Sequence, residues 1–231
     1  MDSTSRKDDA ASPALGDIGI TALVPDRWGG PWESRHQFLT RLARWFHVLW
    51  VDPPGNVLDV PSRILRPRRS LTHAPEALPE GFRVFSRSYL LPRFSRPRLA
   101  RLSDGARLTT ARRMLARRGV RKHVLYIWRD RFGSALDRVR HDLSCYHIDD
   151  DYTFSFDETP ISDRERDLIG RADFVIVSSP GLKRRKGDIN PNTIVVPNGV
   201  DFASFAAAAE SAAGAGDEPQ DLRDVPRPRV G

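Results

Sequence analysis

The sequence predicts an α/β protein with a doubly wound, mostly parallel Rossmann-like sheet. Apolar strand-like runs alternate with helical-period segments from Ile18 onward, the pattern of a parallel sheet with helices on both faces. Helix-start signals fall between the runs: Ser34 with Gln37, Ser162 with Glu165, and Ser179 directly before Pro180. With 231 residues, 39% of them hydrophobic, the chain is long enough to bury a core.

The first strand is read at Ile18–Val24, followed by the polar loop Asp26-Arg27-Trp28-Gly29-Gly30-Pro31-Trp32. The first helix then starts at the capping box of Ser34 and Gln37, with Phe38, Leu39, Leu42, Ala43 and Phe46 as its apolar stripe. His47–Val51 is the second strand, stopped by Asp52-Pro53-Pro54-Gly55. Residues 56–80 have no clear period and several prolines, which predicts an irregular excursion. A third strand is expected over Phe82–Tyr89 and a helix over Arg96–Arg118, packed through Leu99, Leu102, Ala106, Leu108, Ala111 and Leu115. Val124–Trp128 and Leu143–Ile148 read as strands, and Ser162 caps a helix to about Arg171. Phe174–Val177 is a further strand, leading into a helix capped by Ser179. Thr193–Val196 runs into Asn198-Gly199, a turn signal because glycine tolerates positive φ. Residues 206–224, rich in Ala, Gly, Glu and Asp, read as linker or disorder.

Composition narrows the function classes. No apolar run reaches the ~18 residues of a membrane-spanning helix. The N-terminal Met1–Ala10 mixes charges without an apolar core, so it is not a secretory signal, and residues 1–16 read as a disordered tail. Cys145 is the only cysteine, which excludes an internal disulfide and a CxxC metal site; a cytoplasmic location and no metal are expected. Net charge is +7, and of 37 basic residues only Lys7, Lys122, Lys183 and Lys186 are lysines. That balance favours an anionic partner. Nucleic acid fits the charge, but no aromatic interleaving or recognition module accompanies it.

Several segments, in order, resemble the first domain of a retaining GT-B glycosyltransferase of group 1, or family 4. They are Trp28–Arg35; Val48-Leu49-Trp50-Val51-Asp52-Pro53-Pro54; Cys145-Tyr146-His147-Ile148-Asp149-Asp150-Asp151-Tyr152; Phe174–Leu182; and Pro197-Asn198-Gly199-Val200-Asp201-Phe202 with Phe205. The resemblance covers roughly residues 17–205 and is nearest to teichuronic-acid-type polysaccharide biosynthesis enzymes. It implies a Rossmann-like acceptor-side domain over 17–200, then an interdomain linker and the truncated start of a second domain over 201–231. Asn198, Gly199 and Asp201 would form the interdomain hinge. The complete enzyme would move a sugar from a nucleotide-sugar donor to a glycan or lipid-linked acceptor in cell-envelope polysaccharide synthesis. The donor site, with its E-x7-E carboxylates, belongs to the second domain. The fragment is therefore expected to be inactive alone, and a separate chain is the expected source of the other half. Glu210 and Glu218 match the E-x7-E spacing but sit in the low-complexity stretch and are set aside.

Individual residues carry functional and structural readings side by side. Gly29 and Gly30 would let an acceptor or phosphate approach backbone N–H groups, or simply make a strand-to-helix turn. Trp28 and Trp32 would stack on a sugar or lipid, or pack over the sheet end. Asp149 and Asp150, ahead of Asp151, close a strand whose carboxyl end should face a ligand crevice. As clustered carboxylates they would raise one another's pKa and let one act as a catalytic base; the alternative is a helix cap and a solvated turn. His147 reads as a core histidine. Arg93–Lys122 holds eleven basic residues and one acid, Asp104. Within it, Arg98, Arg101, Arg112, Arg113, Arg117 and Arg118 are candidate contacts to an anion or to the inner face of the cell membrane, as a peripheral attachment; a solvated arginine face is the alternative. A non-catalytic module that binds an anionic lipid surface or partner protein is the competing function.

Overall fold

A computed structural model describes residues 12–54, 78–86, 97–151, 161–200 and 202–212. The strands are β1 (Ile18–Leu23), β2 (His47–Val51), β3 (Phe82–Phe85), β4 (Lys122–Ile127), β5 (Leu143–Ile148), β6 (Phe174–Val177) and β7 (Thr193–Val195). They pair, all parallel, in the order β3-β2-β1-β4-β5-β6-β7. The helices are α1 (Ser34–Leu42), α2 (Pro97–Ala116), α3 (Asp163–Arg171), α4 (Pro180–Lys186) and α5 (Phe202–Ala212), with a 3-10 segment over Asp130–Asp137 between β4 and β5. The expected Rossmann-like α/β fold is what the structure shows. Strand order reverses between β1 and β4, and such a switch opens a crevice at the carboxyl ends of the strands.

Buried side chains cover both faces, which is why the strands read as continuous apolar runs. On the α1 face, Ile20, Ala22 and Val24 pack with Val48, Trp50, Phe82, Tyr126, Trp128 and Leu39. On the other, Leu49, Val51, Leu125, Ile127, Tyr146 and Ile148 pack against Leu108, Ala111, Leu115, Leu168 and Leu182 from α2, α3 and α4. Close approaches of backbone need glycine: a Cβ on Gly81 would lie 2.3 Å from the Ala43 carbonyl oxygen and 2.8 Å from that of Phe46.

Several boundaries move. α1 is capped by Glu33, not Ser34, because His36 Nδ1 can accept the Glu33 N–H at 3.1 Å. Ser162 does cap α3 through the Glu165 N–H, but the Glu165 carboxylate reaches Lys186 Nζ at 2.9 Å and never returns to the cap. In α2 the first turns turn outward: Leu99 and Leu102 are 41% and 71% exposed, Ala106 is exposed, and Arg107 is buried instead. The α2 end is closed by Gly119 at φ 84°, with Gly119 N donating to Ala116 O and Val120 N to Leu115 O. That left-handed position is not at Gly199, where the Asn-Gly pair had suggested one.

Residues 12–16, expected within the tail, are tied to the end of α1 by Ala14 N to Arg44 O and Leu15 N to Trp45 O. Two compact units divide between Pro197 and Asn198. In the second, the alanine-rich stretch expected as linker is helical up to Ala212, as alanine's intrinsic preference favours. Asp201, with Arg93, Arg96 and Tyr152, lies outside the described residues. No described helix is long and apolar enough to cross a membrane.

Candidate functional site at the carboxyl edge

The loop after β1 closes over the carboxyl end of β2. Asp52, 6% exposed, accepts from Trp28 N at 2.8 Å and from Trp50 Nε1 at 3.0 Å, while its carbonyl accepts from Arg107 at 2.5 Å. Burial drives the Asp52 carboxyl above its ordinary pKa, against the pull of those hydrogen bonds. The clamp fixes Trp28 in an aromatic layer: ring centroids lie 5.4 Å from Trp32, 5.2 Å from Trp50, 5.2 Å from His36 and 4.8 Å from Phe82. Both Trp28 and Trp32 remain half-buried, so each packs on the sheet end and still presents an edge to solvent. Gly29 is exposed with nothing near its Cβ position. Gly30 closes a turn onto Arg27 O at 2.9 Å. The α1 N-terminus beyond them is already occupied by Glu33, whose carboxylate would repel a phosphate.

A second cluster forms where β4 and β5 end. Asp149 Oδ1 accepts from Arg129 at 2.9 Å and Oδ2 from Arg35 at 3.1 Å. Arg35, with 6% of its side chain exposed, also pairs with Asp26 and Glu33, each at 2.5 Å. The network joins the β1 loop to the end of β5 across the switch point. Burial pushes the Asp149 carboxyl up, but the Arg129 and Arg35 charges outweigh it and hold the pKa below its ordinary 3.8. The expected mutual elevation therefore fails at Asp149, because the three aspartates diverge. Asp150 is exposed and accepts from Asp151 N, while Asp151 turns to Arg185 and Lys186. Asp149 is an anchored anion, poorly suited to take a proton near neutral pH.

His147, read from sequence as a core residue, is 4% exposed and stacks on Trp128 at 4.3 Å. Burial lowers its pKa to about 4, so it is neutral at pH 7. The Tyr126 hydroxyl and His147 Nδ1 share a hydrogen bond of 2.7 Å. His36 is similarly neutral, its pKa lowered to about 4 chiefly by burial, with Nδ1 taken by Glu33. Among the described residues, His36 Nε2, His147 Nε2 and Trp128 Nε1 have no hydrogen-bond partner of normal geometry, although Trp128 lies close enough to Asp149 to stabilise its charge. These nitrogens are sealed beneath the aromatic layer on the α1 face of the sheet. No group of His, Cys, Asp and Glu among the described residues is arranged to hold a metal ion.

The arginines of α2 do not act as one patch. Arg98 and Arg101 are exposed on its first turns. Arg112 and Arg113 lie near its other end, about 20 Å away by the helical rise of 1.5 Å per residue. Arg117 is exposed, whereas Arg118 donates to His47 Nδ1 at 3.1 Å and to Glu80 O at 2.9 Å and serves as structure. Asn198 and Gly199 are exposed at the start of the second unit. Sequence reading missed Arg35, Arg129, His36 and Asp52 as site residues; position alone marked them, Asp52 and Arg129 just after a strand end and Arg35 and His36 on the first turn of α1. Compared with protein-family models, with curated proteins and with solved structures, the chain matches none of them.

Proposed function

We propose that the first unit is the acceptor-side domain of a retaining GT-B glycosyltransferase acting in cell-envelope polysaccharide synthesis. Its crevice would receive a glycan or lipid-linked acceptor, and a nucleotide-sugar donor would be held by a second domain. The observation that carries this reading is the meeting of the Trp28–Trp32 loop with Asp149 at the β1/β4 switch, joined by Arg35. Those are the segments through which the sequence resembles the family. In this role Trp28 and Trp32 stack on the acceptor, and Gly29 and Gly30 keep its path clear. Asp149 orients Arg35 and Arg129; it is a positioning residue. Departing phosphate, not an enzymic base, would take the acceptor proton. Calorimetric titration with octyl glycosides and with UDP-glucose tests the assignment. Octyl glycosides are expected to bind, with loss of binding in W28A/W32A, and UDP-glucose is expected not to. Absence of glycoside binding, or binding untouched by both substitutions, overturns it.

A second reading rests on α2, whose exposed Leu99 and Leu102 stand among exposed Arg98 and Arg101. That mixture fits a non-catalytic attachment to an anionic lipid surface, arginines at the headgroups and leucines below them. Sedimentation with phosphatidylglycerol vesicles tests it: L99A/L102A should weaken attachment without lowering stability.

A further inference from the structure

At the opposite, amino-terminal edge of the sheet lies a groove of ≈ 470 Å³ that the proposed function does not use. Five arginines from three parts of the chain line it: Arg112 and Arg113 on α2, Arg121 before β4, and Arg138 and Arg140 before β5. No carboxylate belongs to the lining. Asp17 reaches Arg121 at 3.4 Å and Asp104 reaches Arg138 at 3.2 Å, both from outside it. The nearby Asp142 is engaged by the His123 N–H at 2.7 Å. Among the described residues, Arg112, Arg113 and Arg140 have no ion-pair partner. The partial negative charge at the end of α2 accounts for a cation such as Arg113, in the last turn. It does not account for Arg138 and Arg140, which are delivered from another element.

Three like charges without counter-charge, beside two that are only partly offset, repel, and the fold tolerates that repulsion most readily where an anion relieves it. We propose that this groove is a binding site for a small soluble anion carrying two or more clustered phosphate groups. Planar guanidinium groups suit phosphate oxygens bidentately, and five of them around one groove match a multiply charged ligand better than a single phosphate. The groove volume is in the range of small-molecule sites. The one aromatic ring in its lining, that of His123, is 4% exposed and held by Thr21 at 2.8 Å, so it offers no face on which a nucleic-acid base would stack. Its only apolar side chains are the small Ala116, Val120 and Val139, too short to enter a bilayer.

Titration of the full chain with inorganic tripolyphosphate, followed by calorimetry, tests the site. Binding is expected to be saturable, tighter than for orthophosphate, and weakened about tenfold or more in R112E/R140E. The exposed pair R164E/R166E on α3 makes the same change in net charge and should leave binding unaltered. Circular dichroism checks that each variant folds, and R112Q/R140Q replaces the reversed pair if it does not. Equal weakening by both charge-reversed pairs reduces the effect to bulk charge and overturns the proposal. So does absence of tripolyphosphate binding by the native chain. Preferential binding of phosphatidylglycerol vesicles or of a single-stranded oligonucleotide through Arg112 and Arg140, without tripolyphosphate competing, assigns the groove to a lipid or nucleic acid and also overturns it.

Discussion

Arg35 and Asp149 meet at 3.1 Å although β4 lies between the strands that deliver them. Arg35 enters on the first turn of α1 after β1, and Asp149 leaves the end of β5. Their contact ties the two sides of the strand-order switch, so the crevice edge and the stability of the domain depend on one ion-pair network.

Replacing Asp149 by Asn keeps the shape and removes the charge that Arg35 and Arg129 share. Arg35 retains Asp26 and Glu33, so the expected loss is about 2–3 kcal/mol, at the lower end for a broken buried pair. Urea denaturation at pH 7 measures it. Because the folded pKa is depressed, Asp149 contributes stability above its unfolded value near 3.8, and that contribution is lost as pH falls through the folded pKa. D149N should therefore approach the native chain in stability only under strongly acid conditions.

The two neutral histidines titrate in a different window. His36 and His147 have pKa values lowered from 6.5 to about 4, so the unfolded chain binds more protons between those values. Stability should be full above pH 6.5 and decline toward pH 4, by up to about 3 kcal/mol for each ring. H147Q, which can still hydrogen-bond Tyr126, should flatten that decline; denaturation midpoints from pH 7 to pH 4.5 would show it. An unchanged slope would mean that His147 does not remain neutral in the fold.

Lys186 has a fully buried side chain whose Nζ reaches both Glu165 oxygens, at 2.9 and 3.0 Å, and Asp151 O at 3.1 Å. E165L alone leaves that ammonium only the more distant Asp151 carboxylate, at 3.5 Å, and should cost about 3 kcal/mol. The double variant E165L/K186M removes both charges and should recover most of the loss. A double-mutant cycle in urea provides the coupling.

Two glycines should respond oppositely to alanine. G81A forces a Cβ against two carbonyl oxygens of the α1–β2 connection and should lower stability by at least ~2 kcal/mol. G29A meets nothing within 4 Å and should change stability by no more than about 0.5 kcal/mol. Any loss of octyl glycoside binding in G29A then reports on the ligand's path, since the fold is intact.

The sequence by itself determined the fold class, because strands buried on both faces must be largely apolar, and runs such as Val48-Leu49-Trp50-Val51 and Phe174–Val177 have no other economical use. It also placed local signals whose physics is local: Ser162 and Ser179 cap helices through N–H groups three residues away. Where a signal depended on a distant partner, only the tertiary structure decided. Leu99 and Leu102 have helical spacing, yet no element covers them among the described residues, while Arg107 is buried because the Asp52 carbonyl and Asp104 lie within reach. Asp149, Asp150 and Asp151 look alike in sequence, and their environments separate only when Arg35 and Arg129 arrive from one side and Arg185 and Lys186 from the other. The arginine groove at the amino edge was legible only as excess charge, since Arg112 and Arg140 become neighbours through the pairing of β4 with β5 and the packing of α2. Periodicity and capping act over one helical turn or one strand; charge, burial and hydrogen-bond partners act through space.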